Sequence, residues 1–504
     1  MDAQCIAELE VEFGGVEAGA SQRIAELEAQ LVARDLRIAD LEAQLAARGA
    51  ESAALREQVA ALTKTLAELA DKLGRNSRNS NLPPSSDPPG VRKNRESGKS
   101  KDAKRKRGGQ PGHRGSRREL LPEAEVDEIV DLFPSQCENC WEPLPERPDS
   151  SPQRHQLTEV PPVEPHTTEF RRHSVECLRC GHTTCASCDQ AQIPSSPFGP
   201  RLMALIALLT GVYHISRRRT VELLADVLGV RISLGAVSAV EARVSEAAKP
   251  AFEEACAQVE EAEVKHTDGT SWRQAGSAMS LWTIATTMVT VFKIVSNSTA
   301  DMLKPLFGAL KGILVSDRGK NLTFWAMEFR QICWAHLLRK FISFSERDGP
   351  AATFGSDLLN YTGILFEYWH DYKAGHLSRE MFRAWIAPLR TQMEALLERA
   401  VAAKIEGLSG SCADILAHRA ALWTFVDRDD VEPTNNHAER ELRAFVLWRK
   451  RSFGTQSDRG NLFAERMMTV AHTARKQKRN VLDFLTECCE AWLSKTDIPS
   501  LLRT

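Results

Sequence analysis

The sequence has no apolar run of the roughly 18 residues that a membrane-spanning helix requires. The best candidate, residues 202–215, is too short and contains His214. The first residues include Asp2 and Glu8, so no secretory signal peptide is expected. Net charge is also nearly absent, because 65 Lys and Arg stand against 67 Asp and Glu. These absences predict a cytoplasmic protein with no membrane partner, and they exclude a uniformly basic DNA-coating protein.

The chain is long, has enough apolar residues for a core and contains many cysteines. The 504 residues suggest about three domains, and an apolar share of 42% is ample for a core. Twelve cysteines without a signal peptide favour a reducing compartment, and metal or thiol roles rather than disulfides.

Residues 24–73 carry apolar side chains at alternating spacings of three and four, which predicts a left-handed coiled coil. Arg34, Arg48 and Ser52 interrupt the stripe, so its cleanest part runs from Leu55 to Leu73. We expect self-association through a coiled coil at residues 20–74. The alternatives are one amphipathic helix packed on its own chain, or two helices broken near Gly49.

Residues 75–118 differ from the preceding predicted helix in composition, because they are polar and largely basic. The segment from residue 92 to 118 has 12 Lys and Arg against two acids and includes Arg105, Lys106 and Arg107. It cannot bury a core and is predicted to be a disordered basic linker. Either it neutralises DNA phosphates or it is a solvated tail.

Two Cys-x-x-Cys pairs, Cys137 with Cys140 and Cys177 with Cys180, lie within residues 119–196. Four thiolates suit a closed tetrahedral Zn²⁺ site, which would stabilise this small module. Cys185 and Cys188 form a further pair that competes with the second one. Cysteines without any metal are the remaining alternative.

Residues 197–262 are predicted to be helical, with a helix from Arg217, a turn at Gly229 and a second helix from Leu234. This outline fits a helix-turn-helix or a helical hairpin without a DNA role. Residues 263–345 become strand-like, and residues 350–430 return to helix. Residues 434–449 and 462–477 are predicted to form two further helices.

Three acids stand where metal ligands are expected. Asp268 ends a predicted short strand, Asp317 follows the apolar strand of residues 312–316, and Glu439 lies in the first turn of a predicted helix. Carboxylate oxygens suit Mg²⁺ or Mn²⁺, and two such ions can hold the attacking and leaving oxygens of a phosphodiester. The alternative is that the Asp residues cap loops and that Glu439 pairs with Arg443.

The stretch after Glu439 is basic, with 11 Lys and Arg against three acids between residues 440 and 479. Such a stretch suits a phosphate-backbone substrate. The candidate DNA-binding residues are Arg440, Arg443, Arg449, Lys450 and Arg451. Trp448 and Phe453 either stack on extruded bases or pack in the core. Cys333 and His336 are either further ligands or a core cysteine and a hydrogen-bonded histidine.

The order of these segments resembles the insertion sequence 66 family of transposases over nearly the whole chain. The resemblance is carried by the coiled coil, the Gly-Gly-Gln-Pro-Gly-His arm at residues 108–113, the paired cysteines and two motifs. These motifs are Cys-Trp-Ala-His-Leu-Leu-Arg-Lys-Phe at residues 333–341 and Asn-Asn-His-Ala-Glu-Arg at residues 435–440. Two positions depart from the usual family pattern: Gly269, where Glu is commoner, and the Arg318-Gly319 pair, where Gly-Tyr is commoner.

The resemblance implies a mixed, multidomain fold with an α/β RNase H-like catalytic core and a helical insertion. Asp268, Asp317 and Glu439 match the three acids of a DDE transposase. The implied reaction is metal-dependent hydrolysis at the ends of the chain's own element, followed by attack of the released 3′ hydroxyl on target DNA. The rival interpretation is a DNA-binding protein without catalysis that still recognises element ends.

The resemblance also implies partners and a domain order. The partners are terminal-repeat and target DNA, a second copy of the chain and possible accessory proteins of the element, in a bacterial cytoplasm and on the nucleoid when DNA is bound. The expected domains are a coiled coil (20–74), a basic linker (75–118), a zinc module (119–196), a helix-turn-helix-like region (197–262), the first part of the core (263–345), a helical insertion (346–430) and the C-terminal part of the core (431–504).

Overall fold

The computed structural model describes residues 3–80, 119–187 and 193–502. They form two compact units, one containing the N-terminal helix with residues 339–347 and the other the rest. The predicted basic arm, including Arg105, Lys106 and Arg107, lies outside the described residues, as does Cys188. No helix in the described ranges combines the length and apolarity needed to cross a membrane.

The first unit is built on α1, a single helix from Ala3 to Gly74. It continues through Gly49, so the alternative of two helices broken there is not observed. Its described side chains from residue 19 to 66 are all exposed, so the stripe does not pack on its own chain there. After α1, Asn79 Nδ2 donates to Glu346 Oε2 at 2.8 Å, and Asn76 backbone N donates to Asn79 Oδ1 at 2.8 Å. The start of the linker predicted at 75–118 is therefore a hydrogen-bonded turn.

The second unit begins with the cysteine-containing segment. It carries a two-stranded antiparallel hairpin of β1 (Ser174–Glu176) and β2 (Thr183–Cys185). Helices then follow: α2 (Pro200–Ala207), α3 (Arg217–Leu228), α4 (Leu234–Ala247) and α5 (Lys249–Glu261).

The predicted turn between α3 and α4 is present. Ser216 and Ser233 cap the two helices through their hydroxyls. Gly229 ends α3 in the left-handed conformation, with φ 67°, which glycine adopts without a Cβ penalty.

A five-stranded mixed sheet forms the centre of this unit. Its strands are β3 (Val264–Gln274), β4 (Ser277–Ala285), β5 (Thr290–Val295), β6 (Ile313–Ser316) and β7 (Arg330–Ile332), and the spatial order is β5-β4-β3-β6-β7. β3, β4 and β5 pair antiparallel, whereas β3–β6 and β6–β7 pair parallel.

The region predicted to be strand-like, residues 263–345, also contains short helical pieces. Residues 281–295 lie in β4, a turn and β5. Between β5 and β7 the chain forms α6 (Ala300–Leu303) and 3₁₀ turns at Lys304–Phe307 and Met327–Phe329. Asp268 lies in the middle of an 11-residue strand rather than at the end of a short one.

Helices complete the fold. They are α7 (Trp334–Ser345), α8 (Pro350–Lys373), α9 (Arg379–Ala402), α10 (Ser409–Ala417), α11 (Arg419–Leu422), α12 (Thr424–Asp427), α13 (Asn436–Ser452), α14 (Asp458–Lys476) and α15 (Val481–Ser494). α8 to α12 occupy the predicted helical insertion.

Helix side chains close both edges of the sheet. On β5, the backbone N–H groups of Thr290, Phe292 and Ile294 each donate to an α14 side chain. The three acceptors are Thr473 Oγ1, Thr469 Oγ1 and Glu465 Oε1, which are spaced four residues apart. On β7, Thr424 Oγ1 donates to the carbonyl oxygen of Arg330 at 2.6 Å. Three outward N–H groups of β5 and one outward carbonyl of β7 are thereby satisfied.

Candidate functional site

Asp268 and Asp317 occupy equivalent positions on neighbouring parallel strands. Val264 pairs with Ile313 and His266 with Val315; two residues further along each chain are the two aspartates. Adjacent strands lie about 4.8 Å apart, so the register brings these acids side by side. β6 ends one residue before Asp317 while β3 continues, and this leaves the two carboxylates beside an opening.

Both acids line a cavity of about 450 Å³. The other lining groups are hydroxyls and amides of the β3–β4 hairpin, of the segment 296–298 and of Asn321, together with Gly269, Ala278, Met279 and Trp282; neither Cys nor His is among them. Carboxylate, amide and hydroxyl oxygens are the donors that Mg²⁺ and Mn²⁺ prefer. The donor set therefore fits a hard divalent cation.

The position of Asp317 is fixed from two sides. Its Oδ1 accepts the backbone N–H of Gly319 at 2.9 Å. Behind it, the fully buried guanidinium of Arg330 donates to the Asp317 carbonyl oxygen and to Ser316 Oγ, each at 3.0 Å. Burial lowers the pKa of Arg330, and the charge of Asp317 opposes that shift. Sequence reasoning missed Arg330, since nothing in its local pattern distinguishes it from a strand residue.

Glu439 lies in the first turn of α13, as predicted, but it is not among the residues that line the cavity. Its Oε1 lies 3.7 Å from His336 Nδ1, and Cys333 is close to both. The structure therefore brings two of the three predicted acids together in the cavity and places the third with the Cys333–His336 motif.

Asn435 connects the segments that carry the acids. This fully buried residue precedes α13, and its Nδ2 donates to the carbonyl oxygen of Thr267, next to Asp268, at 2.7 Å. Its backbone N donates to Cys333 Sγ at 3.1 Å, and its carbonyl oxygen accepts from Glu439 N at 3.2 Å. Asn435 thus fixes the Glu439 helix against β3. The motif at 435–440 was recognised in the sequence, but this role of its first residue was not.

A partly buried ionic cluster lies between α13 and α14. Glu441 accepts from His472 Nδ1 at 2.5 Å and pairs with Lys476 Nζ at 3.3 Å. Burial raises the pKa of Glu441, but the His472 hydrogen bond and the Lys476 charge outweigh it and lower the pKa to about 2. Lys476 also donates to the Thr286 carbonyl oxygen at 2.6 Å. Lys476, which belongs to the basic stretch predicted to bind DNA, therefore makes contacts within the protein instead.

The predicted DNA-binding side chains of α13 separate into two groups. Arg440, Arg443, Lys450 and Arg451 are exposed. Arg449 instead donates to Thr270 Oγ1 at 3.0 Å and to Ser271 Oγ at 2.6 Å, on β3 beside the cavity. The two candidate base-stacking residues also differ, because Trp448 is only 9% exposed and stacks on His214, whereas Phe453 is 76% exposed.

The two Cys-x-x-Cys pairs form matching turns. Cys137 N donates to Glu142 O and Trp141 N to Cys137 O, and Cys177 N donates to His182 O and Gly181 N to Cys177 O. Backbone N–H groups of the next residues lower the pKa of both leading thiols, Cys137 and Cys177. Each turn is thus shaped to hold thiolates.

In the described part of the chain, the sulfurs of the two turns do not form a common group of three ligand atoms. Across the described ranges, the one group of three possible ligands within 4.8 Å of one another is Cys333, His336 and Glu439. Cys140, Cys180 and Cys185 are exposed and Cys137 is partly exposed.

The glycine after the first acid is explained by its cross-strand neighbour. Gly269 pairs with Trp282, and a Cβ at position 269 would lie 2.7 Å from the Trp282 ring. A residue with a side chain at 269 therefore requires a smaller residue at 282.

We expect Gly269→Glu to lower the free energy of unfolding by about 1–3 kcal/mol, as overpacking does, and to displace Asp268. Trp282→Ala should cost less stability in the Gly269→Glu background than in the wild type, to be measured by chemical denaturation of the two single variants and the double variant. Gly235→Glu is the matched control, because a Cβ there meets only Ser233 Oγ, at 4.0 Å. If Gly269→Glu is no less stable than this control, the proposed clash is wrong.

Comparisons with known sequences identify the family of this chain. The sequence model of the Transposase IS66 family matches residues 195–462, more than half of the chain and all of the cavity and Glu439 segments. A second model, a family of unknown function (DUF6444), matches residues 16–119, which include most of α1 and the basic arm. No curated protein matches. The match to the first model shows that the chain belongs to the IS66 family of transposases.

Proposed function

We propose that this chain is a DDE transposase that hydrolyses a phosphodiester at the ends of its own insertion sequence and then joins the released 3′ hydroxyl to target DNA. The observation that carries the proposal is the side-by-side placement of Asp268 on β3 and Asp317 one residue beyond the end of β6, at a cavity lined by both carboxylates. The five-stranded sheet would then be the RNase H-like core, with α8 to α12 as its insertion.

The roles of the chain's own groups follow from their positions. Asp268 and Asp317 would hold the divalent cations, and Glu439 would be the third carboxylate, brought toward them by α13. When bound, Mg²⁺ or Mn²⁺ would supply positive charge that stabilises the attacking and leaving oxygens. Asn435 positions the Glu439 helix, and Arg330 supports Asp317 from behind.

DNA binding is assigned to exposed cations. Arg440, Arg443, Lys450 and Arg451 would pair with phosphates close to the cavity. Arg449 would act differently, as the link that holds α13 to β3. The predicted arm, with Arg105, Lys106 and Arg107, would add phosphate contacts, and α3 and α4 would contribute the helix-turn-helix. The turns at Cys137–Cys140 and Cys177–Cys180 would be joined by structural Zn²⁺ into one module.

The direct test is cleavage of labelled DNA that carries the element's ends. The full-length chain should nick this DNA with Mg²⁺ or Mn²⁺ and not with EDTA or Ca²⁺, and it should leave scrambled ends intact. Binding of the ends without any nicking, under all metal conditions, would instead support the non-catalytic DNA-binding protein.

We further propose that α1 pairs with α1 of a second copy and holds two element ends together. The motivation is its exposed stripe, including Leu55, Leu62 and Leu66. A flexible tether gives the second DNA-binding arm an effective concentration of up to roughly millimolar. Leu55→Glu with Leu62→Glu should therefore weaken paired-end complexes by roughly tenfold or more, while binding to one end changes little.

The measurement is sedimentation of the protein together with gel analysis of one-end and two-end complexes. Ala54→Glu with Ala61→Glu is the matched control, because these residues lie off the stripe on the same helix turns. An unchanged oligomeric state in the leucine variant would contradict pairing through α1, while leaving the catalytic proposal intact.

A further inference from the structure

A sulfur, an imidazole and a carboxylate meet outside the oxygen-lined cavity. Cys333, His336 and Glu439 each offer a ligand atom within 4.8 Å of the others, and His336 Nδ1 lies 3.7 Å from Glu439 Oε1. Cys333 is fully buried, and the other two are partly buried. These are the three donor types that bind Zn²⁺, and three protein ligands leave a fourth coordination position open.

The sulfur of Cys333 has the same backbone surroundings as the leading sulfurs of the two Cys-x-x-Cys turns. Cys333 receives the backbone N–H groups of Ala335 and His336, its second and third following residues. Cys137 and Cys177 receive theirs from the same relative positions. N–H groups directed at a sulfur stabilise its thiolate form, but at Cys333 burial outweighs them and raises the pKa of the thiol to about 11. The Cys-x-x-His segment therefore directs N–H groups at its sulfur as the two turns do, although it opens the helix α7 rather than closing a turn, and a histidine stands at the second ligand position.

Capping of a helix explains only part of this arrangement. Cys333 directly precedes α7, so its contacts with Ala335 and His336 also satisfy N–H groups of the first helical turn. Capping does not require a third N–H, which comes from Asn435 at 3.1 Å. It also does not require the side chains of His336 and Glu439 to converge beside the sulfur.

We propose that Cys333, His336 and Glu439 form a binding site for Zn²⁺ or a similar thiophilic divalent ion, and that an ion bound there withholds Glu439 from the cavity. The donor types separate this site from the cavity, whose lining contains oxygen donors and neither Cys nor His. The second half of the inference rests on the proposed function, because it takes Glu439 as the third catalytic carboxylate. The first half does not.

Metal binding tests the first half without reference to activity. The full-length chain, freed of metal, is titrated with Co²⁺, and bound Zn²⁺ is counted after removal of excess ion. Cys333→Ser should hold about one equivalent fewer than the wild type and lose part of the sulfur-to-cobalt charge-transfer band. Cys412→Ser is the control, because Cys412 is also buried but lies outside the group. Equal counts and spectra in the two variants would overturn the site.

A second variant covers the case in which Cys333→Ser does not fold. His336→Gln changes a partly exposed side chain and should lower the Zn²⁺ count by about one equivalent as well. His370→Gln, on α8, is its control. If the His336 variant retains the wild-type count, the proposal is wrong.

The second half is tested by nicking in Mg²⁺ with increasing Zn²⁺, each variant being compared with its own rate without zinc. At a zinc concentration about tenfold above the dissociation constant, the wild-type and Cys412→Ser rates should fall by about tenfold, and the Cys333→Ser rate by much less. Equal inhibition of the two cysteine variants would overturn the link to Glu439. If the wild type does not nick DNA at all, the proposed function fails, and the metal counts still decide whether the site exists.

Discussion

Replacing Asp317 by Asn should abolish strand cleavage by the full-length protein while binding to element ends stays nearly unchanged. The substitution removes a negative charge from the cavity and preserves side-chain size, so the amide can still accept the Gly319 N–H that Asp317 Oδ1 accepts at 2.9 Å. Loss of electrostatic stabilisation of this kind reduces rates by about 10²-fold or more. Single-turnover nicking and a gel-shift titration on the same preparation measure the two effects.

The control is Asp371→Asn, which changes an acid on α8 outside the cavity. It should nick at the wild-type rate. Substantial nicking by Asp317→Asn would remove Asp317 from the catalytic set, whereas loss of end binding would show that the variant is misfolded. Unfolding midpoints in denaturant for both variants separate these outcomes.

Cys177→Ser should release zinc and unfold the segment around residues 119–196. The expectation follows from the exposed character of this segment: between residues 119 and 187, most positions are exposed and none is buried. We expect a module with so little core to depend on metal for its folding, since structural zinc contributes roughly 10–16 kcal/mol in small modules. The change should be visible as a lower zinc count and as faster proteolysis within the segment.

Cys185→Ser is the informative comparison, since Cys185 lies on β2 beyond the second turn. If Cys185→Ser loses zinc and Cys177→Ser retains it, the second pair of ligands is Cys185 with Cys188. Retention of zinc by all of Cys137→Ser, Cys177→Ser and Cys185→Ser would exclude a zinc site at these turns altogether.

Local chemistry made some elements predictable from sequence. The α3–α4 pair has the signals expected of it: serines that cap each helix and a glycine that ends the first. The apolar strand before Asp317 was also predicted, because it is bounded by Gly312 and by the polar residues that follow the acid. Glu439 was also correctly predicted to lie in the first turn of a helix.

Other features depend on contacts that no local pattern encodes. The β4–β5 turn has no Gly or Pro between Ala285 and Thr290; it is closed by Thr286, whose N and side chain bond Val289. Arg330 resembles a surface strand residue in sequence, yet it is fully buried behind Asp317. Cys333 and Glu439 lie about a hundred residues apart in the sequence. They meet because Asn435, at the start of the Glu439 helix, bonds both Cys333 and β3, and these contacts exist only in the folded chain.

The helix that closes β5 has a consequence for how copies of this protein join. An unpaired edge strand invites strand addition from another chain, and this is a common route to domain exchange and fibril growth. Here Glu465, Thr469 and Thr473 of α14 take the place that a neighbouring strand would occupy, and Thr424 blocks part of the opposite edge. Lateral growth of the sheet is therefore closed off at these positions. Under the proposed function, assembly on DNA would rest on the pairing of α1 helices and on the nucleic acid itself, and copies would separate after reaction without any strand being pulled from the core.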